Sequence, residues 1–267
     1  MKTPPLRGLL ACGWAAACLA APVPALAADR LAAMATAREM RVCVWPDYYG
    51  ISHRNLKTLA LEGIDVDLAR ELGKDLGLGV KFVDSSFATL IDDVVSERCD
   101  IAMFAIGITP ARAEKLRFTT PHLQSDVYGI TTRSNRRIQT WADIDQPGVV
   151  VAVAKGTYHE PLMRERLKAA SLLVLDTPQA REQEVAAGRA DVFMADYPFS
   201  RRMLDNTDWA RLVSPPGTYH LTPYAWAMKP GDDAWYRRVE AFVATIKKDG
   251  RLQVAAKRHG LGPIAMP

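Results

Sequence analysis

Short β-branched runs alternate with amphipathic helical stretches along this chain, and that alternation restricts it to few folds. Arg41–Trp45 and Val80–Val83 read as strands. Between them Ile64, Leu68, Leu72 and Leu76 recur every four residues and form one apolar stripe of a helix over 64–76. Asp65 and Asp67 fall in its first turn, where negative charge suits the helix dipole, and read as structural. A second helix is expected over Ala88–Glu97, then a buried strand over Ile101–Ala105. This β-α-β-α-β series gives a parallel sheet with right-handed crossovers. In open sheets of this kind a ligand sits beyond the carboxyl ends of the strands. The segments gathered there are Pro46–Ile51, Asp84–Phe87 and Ile106–Arg112, which bring Tyr48, Phe87, Gly107 and Arg112 together. Aromatic residues in such places line a cleft or serve as lid or core packing.

The stretch Thr109-Pro110-Ala111-Arg112 follows the last of these strands. Thr is a good N-cap, and Pro at the next position is pre-shaped for a helix start. Free backbone N–H groups and the helix dipole favour an anion there. Arg112 adds a planar fork able to grip a carboxylate bidentately. The local reading is a carboxylate clamp or, failing that, an ordinary surface Arg.

A second series follows. Val127–Thr132, Val149–Ala154, Leu172–Leu175 and Asp191–Ala195 read as strands, with a helical turn at Trp141–Ile144. Helices are expected from about Glu160 and over Gln179–Ala187, the latter stopped by Gly188. Gly156-Thr157 again forms a loop before a helix and offers N–H groups and a hydroxyl. Asp196 is a lone carboxylate at the end of a buried strand, either the N-cap of the next helix or an acceptor for a ligand cation. Tyr224–Met228 returns the chain, and Asp233–Lys247 and Arg251–His259 are the closing helices.

The first 27 residues read as a signal peptide: Lys2 and Arg7, an apolar core at Leu9–Ala20 too short to span a membrane, and the cleavage site Ala25-Leu26-Ala27. The mature chain is expected in the periplasm. Losing the signal lowers the net charge from +4 to +2, too near neutral to suggest nucleic acid. Cys43 and Cys99 remain in an oxidising compartment. If the strands bearing them are parallel neighbours, the thiols come within bridging range, so a structural disulfide is expected, with buried free thiols as the alternative. No His or acidic partner stands at metal spacing, and neither a metal nor a cofactor is expected.

Several motifs occur in a set order. Gly63-Ile64-Asp65-Val66-Asp67-Leu68 is similar to G-F-D-V-D-L, and Ile108-Thr109-Pro110-Ala111-Arg112 to I-T-P-E-R. Phe118-Thr119-Thr120-Pro121-His122 is similar to F-S-x-P-Y. Gly156-Thr157, Gly188-Arg189-Ala190-Asp191 and Lys248-Asp249-Gly250 follow in order. Together they resemble the family 3 periplasmic solute-binding proteins that deliver polar amino acids to ABC transporters. The resemblance implies an α/β protein of two lobes, each a mostly parallel sheet flanked by helices, joined by a two-strand hinge. The first lobe would comprise 28–125 plus 224–267 and the second 126–223. It implies a binding protein, expected as a monomer, that meets a transporter permease and is not an enzyme. By the same resemblance Arg112 holds a ligand α-carboxylate and Asp196 accepts from its α-amino group. Gly156 and Thr157 lie near the carboxylate, and Tyr48 and Phe87 wall the side-chain pocket.

The chain also departs from that pattern. Many members carry hydroxyl residues where Ala105 and Gly107 stand here, so that only backbone groups can bind at Gly107. Losing such a partner for a charged group costs roughly 1.5–3 kcal/mol, which favours a less usual ligand. The pairing of Arg41-Val42-Cys43 with Arg98-Cys99-Asp100 resembles solute-binding-like partners of periplasmic quinoprotein dehydrogenases. Ile144–Val149 and Gly156-Thr157 resemble periplasmic cyclohexadienyl dehydratases. Those enzymes need a general acid and carry a Glu just after the strand-end Asp, where this chain has Tyr197, Pro198, Phe199 and Ser200.

Overall fold

The computed structural model describes Met1 and residues 29–267. The expected signal peptide, Met1 aside, lies outside the described residues.

The first part of the chain builds one sheet. Asp29 caps α1 (Arg30–Ala37) by accepting from the Ala32 N–H at 3.0 Å. β1 (Glu39–Val44) follows. The segment after it, expected as loop, instead folds as a small antiparallel sheet of β2 (Asp47–Tyr48), β3 (Ser52–Arg54) and β4 (Leu61–Glu62). Then come α2 (Ile64–Leu76), β5 (Gly79–Asp84), α3 (Leu90–Val95) and β6 (Ile101–Gly107). β6 is buried throughout and continues through Ile106 and Gly107, because the return strand pairs with those residues. α4 (Pro110–Ala113), β7 (Arg117–Phe118) and β8 (Leu123–Ser125) complete this part. Gly63, just before α2, has φ +135°, and a Cβ there would sit 2.2 Å from the Ile51 carbonyl oxygen, so no other residue fits.

The second sheet begins with β9 (Tyr128–Thr132) and continues through β10 (Val150–Ala154), α5 (His159–Arg166), β11 (Ser171–Leu175), α6 (Pro178–Ala186), β12 (Val192–Ala195), α7 (Tyr197–Asn206) and β13 (Ala210–Val213). Its strand order is β11-β10-β12-β9-β13, with β10 parallel to both neighbours and β9 antiparallel to its own. The chain then returns through β14 (Thr222–Met228), followed by α8 (Asp233–Lys248) and α9 (Arg251–Arg258). β14 starts at Thr222 rather than Tyr224, since Thr222 already pairs with Ser125. The first sheet has the order β5-β1-β6-β14-β7, with β8 also on β14.

The chain thus crosses between the sheets twice, at Ser125–Tyr128 and Val213–Thr222. The Asp126 carboxylate ties the crossings together, accepting from the N–H groups of Tyr219 at 2.9 Å and His220 at 2.7 Å. This is a two-lobed α/β architecture with a two-strand hinge. Asp65 is fully buried and accepts from Ala105 N–H at 2.7 Å and Trp226 Nε1 at 2.8 Å, locking α2 onto β6 and β14. β1 and β6 are parallel neighbours, and Cys43 is bonded to Cys99 across a Cα separation of 5.5 Å. Among the described residues no helix is long and apolar enough to cross a membrane.

Candidate functional site

Arg112 lies where the strand-loop-helix reading put it. Thr109 Oγ1 accepts from the Arg112 N–H at 3.3 Å and Pro110 opens the helix. That helix spans only Pro110–Ala113, so the guanidinium rather than a helix dipole supplies the charge. The side chain is buried and runs across the cleft. Nη1 donates to the Gly107 carbonyl at 2.7 Å, and Nη2 donates to the Gly156 carbonyl of the second lobe at 2.9 Å. The guanidinium stands 5.2 Å from the Phe87 ring centre, a cation–π distance. Burial lowers its pKa to about 10, which leaves it charged at neutral pH.

Of the two readings of its sequence position, the structure shows the N-cap for Asp196. Oδ1 accepts from the Phe199 N–H at 3.0 Å, so it is the N-cap of α7. Oδ2 faces the first lobe and accepts from the hydroxyls of Tyr48 and, at 2.9 Å, Tyr224. Burial pushes this carboxyl upward, against the Tyr48, Phe199 and Tyr224 hydrogen bonds that favour the charged form.

The remaining candidates sort by position. Tyr48, Phe87 and Thr157 line the same cavity as Asp196. Thr157 turns its hydroxyl to the Ala154 carbonyl at 2.7 Å. Gly107 stands behind Arg112, which it holds through its carbonyl, and is not on the cavity wall. Gly156 is an approach point of the lobes: with φ +77°, a Cβ there would lie 2.8 Å from the backbone of Ala88. The cavity measures about 20 Å³, room for little more than one water molecule, so a solute enters only when the lobes part.

Trp45, which directly follows β1, also lines the cavity, while sequence reasoning missed Tyr158, Phe199 and above all Arg181. Arg181 is 3% exposed, stacked 4.3 Å from the Phe199 ring centre and 4.9 Å from that of Phe193. Its signal was its phase: it stands one turn before the buried Val185 on α6, on a helix face where a cation is out of place. His159 also lines the cavity, against the Tyr158 ring. Burial, with Arg181 close by, holds its imidazole well below the usual range and therefore neutral.

Two lobes, a double crossing and a polar cleft between them define a periplasmic-binding-type protein. Residues 40–262 match the bacterial extracellular solute-binding proteins, family 3, and the chain belongs to that family. It is 31% identical over 215 residues to the cyclohexadienyl dehydratase of Pseudomonas aeruginosa, covering 80% of each chain. It is 23% identical over 198 residues to the L-cystine-binding protein TcyJ of Escherichia coli K12, covering 74% of each. The crystal structure of the ancestral amino acid-binding protein AncCDT-1, described as a precursor of cyclohexadienyl dehydratase, has a TM-score of 0.78 at 27% identity over 86% of this chain and 98% of that one.

Proposed function

We propose that this protein captures an amino acid or a related small carboxylate by closure of its lobes, 28–125 with 224–267 against 126–223, and delivers it in the periplasm to an ABC transporter. The observation that carries this reading is Arg112, a buried cation from the first lobe whose guanidinium reaches the second. A ligand carboxylate that takes over the Nη2 hydrogen bond now made to Gly156 gains a charge-assisted pair. Asp196, facing Tyr48 and Tyr224, then accepts from the ligand amino group. The ligand drives closure through its greater affinity for the closed state. Export through the signal peptide and a monomeric state belong to the same reading.

The 31% identity to a dehydratase supports a second reading, an enzyme acting on a cyclohexadienyl acid. The residues here are poorly suited to it. Glu160 is turned to the Gly156 N–H at 3.1 Å and to Arg164, away from the cavity wall. His159 is neutral, so it would have to give up an imidazole N–H rather than an imidazolium proton, which makes it a weak general acid. Incubation of the refolded protein with prephenate decides between the two: binding without turnover supports a carrier, and catalytic loss of the substrate supports the enzyme.

A further inference from the structure

Arg181 is not explained by a carboxylate clamp at Arg112. It enters the cavity from α6 and is buried. Nη1 donates to the Met194 carbonyl at 2.6 Å, while Nε, also buried, has no partner among the described residues. No carboxylate among the described residues lies at ion-pair distance. The nearby acids are engaged elsewhere: Glu182 pairs with Arg202 at 3.2 Å, and Asp196 takes Tyr48 and Tyr224. The Phe193 and Phe199 rings offset part of the cost of burial, but rings supply no hydrogen-bond acceptor in the guanidinium plane. A buried cation left in this condition is costly unless something completes its shell.

Charge arithmetic around the cavity points the same way. Arg181 and Asp196 are the charged residues on the wall among the described residues, Arg112 stands off the wall with its guanidinium 5.2 Å from the Phe87 ring centre, and His159 is neutral. The wall itself is balanced, and with Arg112 counted the cleft carries one positive charge in excess. A zwitterionic neutral amino acid leaves that excess in place, and a cationic one doubles it. An amino acid with a second acidic group cancels it.

We infer that Arg181 is a second anion-binding group of the cleft, so that the ligand held at Arg112 carries two acidic groups. This rests on the carrier reading above and names the class of ligand for it. His159, beside Arg181 and neutral, is free to donate a ring N–H to the same group.

The test compares isosteric pairs on the full mature chain, stripped of carried-over ligand by unfolding and refolding. Titration calorimetry is run with glutamate against glutamine, aspartate against asparagine, and 2-aminoadipate, with arginine and lysine as cationic controls. A charged hydrogen-bonded pair corresponds to roughly ten- to hundred-fold in affinity. The acid is expected to bind at least tenfold tighter than its amide, and Arg181→Met, similar in length and apolar, is expected to abolish that preference. The comparison in the unsubstituted protein stands even if Arg181→Met does not fold. A glutamine, asparagine or cationic ligand binding as tightly as the acids overturns the two-acid inference and leaves the carrier reading intact. An acid preference that persists unchanged in folded Arg181→Met overturns the assignment to Arg181. Absence of binding by every compound overturns this inference and leaves the carrier reading to the wider panel of amino acids and small carboxylates.

Discussion

The Tyr48 hydroxyl of the first lobe donates to the Asp196 carboxylate of the second, at the point where a ligand amino group would be accepted. With the Arg112–Gly156 hydrogen bond, it fastens the lobes to one another across a cavity of about 20 Å³. In the proposed function, ligand capture is an exchange of partners at Asp196 and Arg112. Tyr48→Phe removes one of these fastenings without changing the core shape. Small-angle scattering of the ligand-free variant is expected to give a larger radius of gyration at unchanged far-ultraviolet circular dichroism. An unchanged radius would show that the tyrosine contact does not help hold the lobes together.

Gly156 tests closure from the other side. Alanine there must accept a positive φ, at about 1 kcal/mol, and brings its Cβ to 2.8 Å from the Ala88 backbone. The expected result for Gly156→Ala is a folded protein whose solute affinity falls more than tenfold, because the closed form is obstructed. Wild-type affinity would mean that the lobes approach less closely there.

The disulfide joins β1 to the residues just before β6 and closes a loop with a sequence separation of 56. Constraint of the unfolded chain by such a loop corresponds to about 4 kcal/mol. Replacing both cysteines by alanine is expected to lower urea-unfolding stability by roughly 2–4 kcal/mol. A loss below about 1 kcal/mol would place the stabilisation elsewhere.

His159 gives stability a definite slope with pH. Its folded pKa lies well below the unfolded value near 6.5, with burial the largest cause and Arg181 the next. As pH falls the unfolded chain binds the proton first. The stabilisation is complete above about pH 6.5 and is lost as pH drops below that value toward the folded pKa. Urea midpoints should fall from pH 7 to pH 5, and His159→Gln should flatten the decline, leaving a residual slope of the same sign from His53, which burial also holds low. An equally steep decline in the variant would contradict this account.

The fold was legible because its periodicities are strong: the Ile64–Leu76 stripe, the all-apolar β6 and the β-branched β10 each occur as helix or strand. The small sheet of β2, β3 and β4 was not, since its two- and three-residue strands carry no alternation to read. Asp196 stood out because it directly follows the buried strand β12, and Arg112 because it falls in the helical turn that follows β6. Arg181 did not, because Gln179-Ala180-Arg181-Glu182 is ordinary helix-surface composition. Only the packing of α6 against β10 and β12 turns that position inward.

The central claim is that Arg112 holds a ligand carboxylate. Thermal-shift measurement of the refolded mature protein against the amino acids, their derivatives and small dicarboxylates tests it most directly, because a solute that binds the native state raises the melting temperature. The account expects a clear rise with at least one amino-acid-like carboxylate, and its loss in a folded Arg112→Ala variant. A rise of equal size in Arg112→Ala, or none with any compound in the folded wild type, would contradict it.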